Sequence, residues 1–429
     1  MTQEPTESTP SPPAQASPKR PRGSRTLCLP IAEEDYSHTV EDPSAFRAWL
    51  DHHYRTAPEL FPKGFERGYV LKDDRRSRKL ALWLRRIQLR DGTCYSVRPS
   101  FVMPYLCART AEVEAGLFLR KFSVPLWALA RVYGHDPMFW YRQQCALGRA
   151  SIVGTTVRRC LLPRHLLADE HHQKRDGLKT YLATTVAKGC VLGVEPSDSA
   201  DGPALKKAYG VFKEEAQDLQ PDYTPKTVNT DGWSGTQSAW TALFPTAVLI
   251  LCFLHAWLSI RDRAKHMGAA FVDLSHRVWE AYHAPTRSSF AQRLRRLREF
   301  ASRTLSGIVL DKTLKLCKKR ERFAQAYQKP GCHRTSNMLD RLMRAMNRYF
   351  FDGQHLHGSF GASRLHGRAW ALLWNFAPWS PASTRANQGW QCPAARLNRH
   401  QYHDNWLQNL LISASLDGYH NCRQEPQNP

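Results

Sequence analysis

The chain has 429 residues, and its 61 Lys and Arg against 38 Asp and Glu give a formal net charge of +23. Because 42% of the residues are hydrophobic and 11% aromatic, the chain can bury a sizeable core, which excludes a disordered or collagen-like protein. A folded protein with such an excess of positive charge most often binds a polyanion, and nucleic acid is the commonest. A basic surface that only maintains solubility is the alternative.

The cysteines and the N-terminus both argue against secretion. The eleven cysteines are spread along the chain and never form a C-x-x-C pair, which favours free thiols in a reducing compartment. Residues 1–25 lack the apolar core of a signal peptide. The apolar run 239–260 is interrupted by Pro245, and a buried strand explains it better than a membrane span. We therefore expect a cytoplasmic, nucleoid-associated protein that does not cross a membrane.

The first third of the chain predicts a basic tail followed by helices. Residues 1–40 have low hydrophobicity and predict a disordered basic tail. Residues 41–160 predict a helical DNA-binding region, and within it residues 71–90 carry eight Lys and Arg against two Asp. A solvated helix face is the alternative to DNA contact for that basic run.

Residues 110–149 predict three short helices. Gly134 can end the second helix, and Asp136 can cap the third, which Pro137 begins. This arrangement is typical of a helix-turn-helix, whose last helix enters the major groove of DNA. An ordinary three-helix packing unit is the alternative. The side chains of the last helix that are candidates for DNA contact are Arg142, Gln143 and Gln144.

The hydrophobic period changes between residues 161 and 262, where short apolar runs alternate with helical patterns. Predicted strands at 166–170, 179–186, 189–194, 226–229 and 247–254 are joined by predicted helices at 201–220 and 236–244. Three strands, a helix, a strand, a helix and a strand predict an α/β fold with a mixed sheet.

The remainder of the chain predicts mostly helices. Residues 263–333 predict an all-helical and strongly basic block, and residues 334–377 predict the helices that close the α/β core. Residues 378–429 predict a linker and a C-terminal helix over 403–416 that packs on the body.

Two acids follow predicted strands of this sheet. Asp169 ends the first strand, and Asp231 ends the fourth beside Gly232, so both carboxylates should lie at the edge where α/β sheets bind ligands. Neighbouring carboxylates repel each other, and a divalent cation with a preference for oxygen ligands, Mg²⁺ or Mn²⁺, removes that repulsion. For either residue alone, a turn or a helix cap is the alternative. Glu170 should point to the opposite face as a surface charge.

The order of these elements, with Asp on the first and fourth strands, resembles the ribonuclease H-like core of DDE/D transposases. The stretch from Asp231-Gly232 to Cys252-Phe253-Leu254-His255 is similar to mutator-type and related bacterial insertion-sequence transposases, in which C-x-x-H follows the second catalytic Asp. Residues 263–333 match the all-helical insertion of those enzymes. Residues 335–340, TSNMLD, resemble the T-x-N-x-x-E signature that presents the third acid. The resemblance covers roughly residues 110–376.

The resemblance implies a DNA transposase that cleaves transposon ends and transfers strands, with Asp169, Asp231 and Asp340 as catalytic and metal-binding residues. It also implies Mg²⁺ or Mn²⁺ as the cofactor, double-stranded DNA as the partner, and a homo-oligomer on DNA. The third acid is Asp340 where the family has Glu, and Glu280, Glu299 and Glu321 compete for that role. A catalytically inactive, transposase-derived DNA-binding protein and a ribonuclease H-like nuclease without strand transfer remain alternatives.

Further residues support the proposed acids. His255 can orient a phosphate or a carboxylate while Cys252 packs, and half of a zinc site is the alternative for this pair. Arg341, Arg344 and Arg348 share a helix face with Asp340 and are candidate phosphate contacts. Pairing of Asp340 with Arg344 at i,i+4 is the alternative for that face.

Overall fold

The structure is a computed structural model and describes residues 24–353 and 356–419. Over these residues the strands are β1 Thr26–Leu29, β2 Tyr69–Ser77, β3 Leu82–Leu89, β4 Cys94–Pro99, β5 His165–Arg175, β6 Leu178–Ala187, β7 Cys190–Ser197, β8 Thr227–Thr230 and β9 Val248–Leu251. The helices are α1 Glu33–Glu41, α2 Pro43–Thr56, α3 Thr110–Arg120, α4 Leu126–Tyr133, α5 Pro137–Leu147, α6 Ile152–Thr156, α7 Gly202–Leu219, α8 Ser234–Leu243, α9 Phe253–Ala264, α10 Ala269–Tyr282, α11 Arg287–Thr304, α12 Gly307–Lys318, α13 Arg320–Ala324, α14 Asn337–Asp352, α15 Phe360–Phe376, α16 Pro381–Ala386, α17 Pro393–Asn398 and α18 Trp406–Ser413.

A central mixed sheet has the strand order β7-β6-β5-β8-β9. The first three strands in chain order pair antiparallel, whereas β8 runs parallel to β5 and β9 parallel to β8. Side chains alternate between the two faces: Leu166 and Ala168 pack against α7 and α8, and Leu167 packs on the side of α14 and α15. Because helices cover both faces, the strands read as near-continuous apolar runs. The predicted α/β fold is confirmed.

The strand limits near the acids differ from the prediction. Strand β5 continues to Arg175, so Asp169 lies inside the strand and not at its end. Strand β9 stops at Leu251, and Cys252 is the N-cap of α9. Helices α10 to α13 occupy residues 269–324 and share a buried apolar core with α9, as expected for a helical block between β9 and α14.

The predicted disorder of residues 1–40 is wrong from residue 24 onward. Strand β1 pairs in parallel with β4, and its Leu27, Cys28 and Leu29 are fully buried. Low hydrophobicity averaged over the whole segment concealed this short apolar run. The preceding residues 1–23 lie outside the described chain.

The prediction that residues 41–160 are all helical is also wrong, because β2, β3 and β4 interrupt the helices. They join β1 in a second sheet with the order β1-β4-β3-β2. In β3, Leu82, Leu84, Ile87 and Leu89 are buried while Trp83 is exposed, which is largely the alternation of a half-buried strand. Five of the nine residues of β2 are charged, and they obscured the strand pattern of the hairpin.

The three helices predicted for residues 110–149 are present as α3, α4 and α5. Gly134 ends α4 with φ of +76°, and the Asp136 side chain accepts a hydrogen bond from the Phe139 amide at 3.0 Å. Helix α5 does not stand free, because α15 packs along it. The linker predicted before residue 403 instead contains the short helices α16 and α17, and α18 packs into the large core.

Two further observations concern the cysteines and the apolar segments. Nine cysteines of the described chain are free, whereas Cys160 is disulfide-bonded, so the expectation of free thiols fails at that residue. Within residues 24–353 and 356–419, no helix has the length and apolar character needed to cross a bilayer.

Candidate metal centre

Three side chains from distant parts of the sequence meet beside the central sheet. Asp169 of β5, His255 of α9 and Asp340 of α14 each offer one ligand atom, and these atoms lie within 4.8 Å of one another. All three residues are half-buried. Two carboxylates and an imidazole at this separation are a donor set that can hold a divalent cation.

The strand register explains why Asp169 and Asp231 lie near the same edge. Strands β5 and β8 are parallel and pair up to Leu167 and Asn229, so each acid comes two residues after the last paired position of its strand. Because side chains alternate between the two faces of a strand, Asp169 lies on the same face as Leu167. That face is covered by α14, which carries Asp340 in its first turn.

Asp231 lies at the rim of this cluster, and its carboxylate is outside the set of atoms that lie within 4.8 Å of one another. It is exposed, and its Oδ1 accepts a hydrogen bond from the Trp233 amide at 2.7 Å. It lines a cleft with Cys252 and His255. The structure therefore brings Asp169 and Asp340 together and leaves Asp231 beside them.

Ser336, the N-cap residue of α14, joins the C-x-x-H segment to Asp340. The Ser336 hydroxyl lies 3.0 Å from Asp340 Oδ1, 3.4 Å from His255 Nδ1 and 3.2 Å from Cys252 Sγ. The Ser336 amide also donates to Cys252 Sγ at 3.2 Å. Cys252 and His255 thus support Asp340 through a buried hydroxyl that the sequence analysis missed. The position of Ser336 four residues before Asp340, at a helix start, was the available signal.

The segment before α14 is held against the ends of β8 and β9. Asn229 Nδ2 donates to the His333 carbonyl at 2.9 Å, and the Phe253 amide donates to the Arg334 carbonyl at 3.1 Å. The Arg334 guanidinium lies 4.6 Å from the ring centres of both Tyr282 and Tyr327. These contacts fix the start of α14, and hence Asp340, relative to the sheet.

Several acidic groups lie close together in this half-buried cluster, where the pKa values of both Asp169 and His255 are shifted. Burial, together with the charges of Asp231 and Glu170, raises the pKa of Asp169 to about 7. The hydrogen bond with Cys252 raises the pKa of His255 to about 9 against the opposing effect of burial, and the charges of Asp169 and Asp340 add to the rise. A protonated His255 balances part of the carboxylate charge, and a metal ion that took the imidazole as a ligand would displace that proton.

Glu170 is not the surface charge that the sequence predicted. It points to the opposite face from Asp169, as expected, but it is buried there. Its carboxylate accepts hydrogen bonds from the Tyr209 hydroxyl at 2.6 Å and from Thr236 Oγ1 at 2.8 and 2.9 Å. Its role is to join β5 to α7 and α8.

The two glutamines predicted to contact DNA are buried, so this prediction is wrong for both. Gln143 Oε1 lies 2.9 Å from Cys107 Sγ, and Gln144 Oε1 accepts from Arg120 Nε at 2.9 Å. Gln144 Nε2 also donates to the hydroxyl of Tyr349. Tyr349 of α14 and the packing of α15 on α5 cover Gln144, and Gln143 lies against Cys107, whereas Arg142 is exposed.

The α14 arginines predicted to contact phosphate are all exposed, namely Arg341, Arg344 and Arg348. In the part of the chain that the structure describes, Asp340 forms no ion pair with Arg344 within 4.0 Å, and its Oδ1 accepts from Ser336 instead.

The glutamates that competed with Asp340 lie elsewhere. Glu321 pairs with Arg287 and Arg320 at 2.7 Å, and Glu299 lies 3.7 Å from Arg295. Glu280 is exposed on α10. None of the three belongs to the cluster of Asp169, His255 and Asp340.

The cleft beside the cluster has a second, basic wall that sequence reasoning missed. The cleft has a volume of about 190 Å³, and Lys312 and Lys315 of α12 line it together with Lys319, the C-cap residue of that helix. The signal in the sequence was their spacing of three and four residues, which places side chains on one helix face.

Comparison with known proteins does not place the chain in a family. The chain matches no protein-family model, and no curated protein shows significant similarity to it. Function is therefore inferred from the fold and the site.

Proposed function

We propose that this protein is a DNA transposase of the DDE/D type, which cleaves transposon ends and transfers the freed 3′ end to target DNA. The observation that carries the proposal is the meeting of Asp169 and Asp340, 171 positions apart in the sequence, with Asp231 at the rim of their cluster.

The topology of the central sheet supports a ribonuclease H-like core. Numbered from β5, its strand order is 3-2-1-4-5, with the second strand antiparallel to both of its neighbours. Asp169 lies on the first strand and Asp231 follows the fourth. The helical block α10 to α13 lies between the fifth strand and the helix that carries Asp340, which is where the resembling transposases have their insertion.

The donor set fits a divalent cation that prefers oxygen. Asp169 and Asp340 would hold it, with Asp231 available from the rim, and these carboxylate oxygens suit Mg²⁺ or Mn²⁺. Bound in this way, the metal supplies Lewis-acid stabilisation of the oxygens that attack and leave the phosphorus.

The residues of the chain itself supply position and charge. Ser336 orients Asp340 through its hydrogen bond, and the cationic His255 can donate to a phosphate oxygen at the same edge. The exposed arginines of α14 add positive charge beside the cluster. Phosphate contacts of this kind position DNA without reading its sequence.

One observation favours a second candidate, a transposase-derived protein that binds DNA but does not cut it. Asp231 is outside the set of converging ligand atoms, and its Oδ1 accepts from the Trp233 amide. The third acid is also one methylene shorter than the Glu of the resembling enzymes. A protein with weakened metal binding would keep its basic surface and lose cleavage.

Cleavage of DNA that carries the repeats flanking the reading frame separates the two candidates. We expect cleavage that depends on Mg²⁺ or Mn²⁺ in the wild type and a loss of about 10²- to 10³-fold in Asp231→Ala, which is the cost that mutagenesis finds when one group that stabilises the transition-state charge is removed. Asp222→Ala is the matched control, because this exposed residue precedes β8 at the end opposite to Asp231.

Equal cleavage by the wild type and Asp231→Ala would contradict the catalytic assignment. DNA binding by the wild type without cleavage at any metal concentration would favour the inactive, transposase-derived candidate.

A further inference from the structure

The helical block contributes a basic wall to the cleft beside the acid cluster. On one side the cleft is lined by Asp231, Cys252 and His255, and on the other by Lys312, Lys315 and Lys319. The three lysines are separated by three and four positions, so they lie on one face of α12 and its C-terminal end. Lys312 and Lys319 are half-buried, and Lys315 is exposed.

These lysines are not held by acidic partners of the protein. Among residues 24–353 and 356–419, none of the three forms an ion pair within 4.0 Å, although they stand close enough to repel one another. Burial, followed by the charges of Lys315, Arg322 and Lys312, lowers the pKa of Lys319, and the charge of Asp231 opposes this effect. Several cations that line one cleft without acidic partners create a positive potential there, which attracts an anion from outside the protein.

The neighbouring helix α11 shows how the same block treats its other basic side chains. Arg287 pairs with Glu321 at 2.7 Å, Arg295 lies 3.7 Å from Glu299, and Arg293 donates to the Glu280 carbonyl at 2.6 Å. Thus three of the six arginines of α11 have partners within the block, whereas in the described chain none of the three cleft lysines has an acid at ion-pair distance. The difference points to a ligand for the cleft side of α12.

The spacing of the lysines suits a DNA strand. At about 1.5 Å of rise per residue, Lys312 and Lys319 lie about 10 Å apart along the helix, which corresponds to about three base-pair steps, at roughly 3.4 Å of axial rise each, of a duplex whose axis runs along α12. Lysine is a flexible point charge that binds phosphate without a fixed geometry. Such a row follows a phosphate backbone and does not read bases.

We propose that Lys312, Lys315 and Lys319 form a phosphate-binding subsite that holds about three successive phosphates of a DNA strand opposite Asp231 and His255. This subsite rests on the proposed function, because it assumes that the anion in the cleft is the DNA on which the acids act. It binds any DNA sequence, so it holds flanking or target DNA as readily as the transposon end.

The salt dependence of binding to a random-sequence duplex of 30 base pairs tests the subsite. Full-length protein is titrated between 50 and 200 mM KCl in EDTA, so that no cleavage occurs. Each lost phosphate contact lowers the slope of log K against log salt by about 0.9. We expect the triple variant Lys312→Gln, Lys315→Gln, Lys319→Gln to lower the slope by about 2.7.

The matched control removes the same charge from a different surface. Lys206 and Lys207 of α7 and Lys226 before β8 are exposed, and their replacement by Gln should change the slope by less than 1. The single charge reversal Lys315→Glu alters only an exposed side chain and should lower the slope by at least 1, which tests the subsite even where the triple variant does not fold.

Equal slopes for the cleft and control variants, with wild-type DNA binding intact, would overturn the subsite and leave the proposed function standing. Failure of the wild-type protein to bind DNA would overturn both.

Discussion

Two clusters of acids contact the same central sheet, and they are neutralised in different ways. Beside β5, Asp169 and Asp340 meet His255. At the edge strand β7, Glu195 is buried with the arginines of α15, and Glu215 of α7 joins them. We call the first the β5 cluster and the second the β7 cluster.

The β7 cluster is neutralised by permanent cations. Arg368 donates to Glu215, and Arg364 donates to Glu195. Glu215 also accepts from the Ser151 hydroxyl at 2.9 Å and from the Val153 amide at 3.0 Å. These bonds tie α6, α7 and α15 together around the sheet edge, so we interpret this cluster as structural.

The β5 cluster has no guanidinium within reach of its carboxylates in the described chain, and its nearest cation is the titratable His255. Carboxylates that protein guanidinium groups already neutralise stabilise the fold, whereas carboxylates without such a partner remain available to a metal. The comparison therefore predicts different responses of the two clusters to mutation and to metal.

The largest expected difference is in stability. Glu215→Ala removes the carboxylate that is hydrogen-bonded to the buried guanidinium of Arg368, and breaking a buried pair in this way costs about 3–5 kcal/mol in the free energy of unfolding. Asp169→Asn removes a charge that Asp231 and Glu170 repel, so its free energy of unfolding should equal or exceed that of the wild type. Urea unfolding followed by circular dichroism measures both.

Glu299→Ala is the control for Glu215→Ala, because it breaks an exposed pair with Arg295 and should cost about 1 kcal/mol or less. A loss of several kcal/mol in Asp169→Asn, or none in Glu215→Ala, would remove the distinction between the clusters.

The next difference is in the response to metal. A cation that binds only the folded protein stabilises it by about 2.7 kcal/mol at a concentration 100 times its Kd. We expect Mn²⁺ to stabilise the wild type by this amount and to stabilise Asp340→Asn much less. Asp222→Asn, which changes an exposed residue outside the cluster, should behave as the wild type. Equal stabilisation of Asp340→Asn and the wild type would place the metal elsewhere.

The central sheet and two of its acids were predictable from sequence because their signals are local. Strands buried on both faces are apolar runs, and the amphipathic face of α7, with Leu205, Ala208, Tyr209 and Phe212, repeats at helical spacing. Both patterns can be recognised in the sequence without knowing which elements pack against them. The helix N-terminus that carries Asp340 was visible for the same reason.

The errors arose where distant parts of the chain decide the outcome. Gln144 follows the helical pattern of α5, but it is buried because it contacts Tyr349, 205 positions later. Strand β3 was not recognised because its partner in the hairpin, β2, is an edge strand rich in charged residues and has no strand-like apolar pattern. The cleft lysines face Asp231 only after the helical block has folded back on the sheet. Such contacts leave no local trace in a single sequence.

The smallest expected difference lies in the β7 cluster itself, where Glu195 is incompletely paired. Its Oε2 has no hydrogen-bond partner among the described residues. Burial outweighs the charges of Arg364 and Arg368 and raises the pKa of Glu195 to about 6. A carboxyl with a raised pKa binds more protons when folded, so its contribution to stability is complete below about pH 4.5 and is lost as pH rises through about 6.

At about 1.36 kcal/mol per pKa unit, this loss amounts to about 2 kcal/mol, and Glu195→Gln should abolish it. Unfolding free energies at pH 4.5 and pH 7 for the wild type, Glu195→Gln and the exposed control Glu299→Gln measure the effect. The difference between the two pH values should be smaller by about 2 kcal/mol in Glu195→Gln than in the wild type, because the raised pKa of Asp169 also contributes to it, and Glu299→Gln should keep the wild-type difference. If Glu195→Gln keeps the full wild-type difference in unfolding free energy, then Arg364 and Arg368 neutralise Glu195 completely. The β7 cluster would then differ even more from the β5 cluster, whose carboxylates have no guanidinium partner in the described chain.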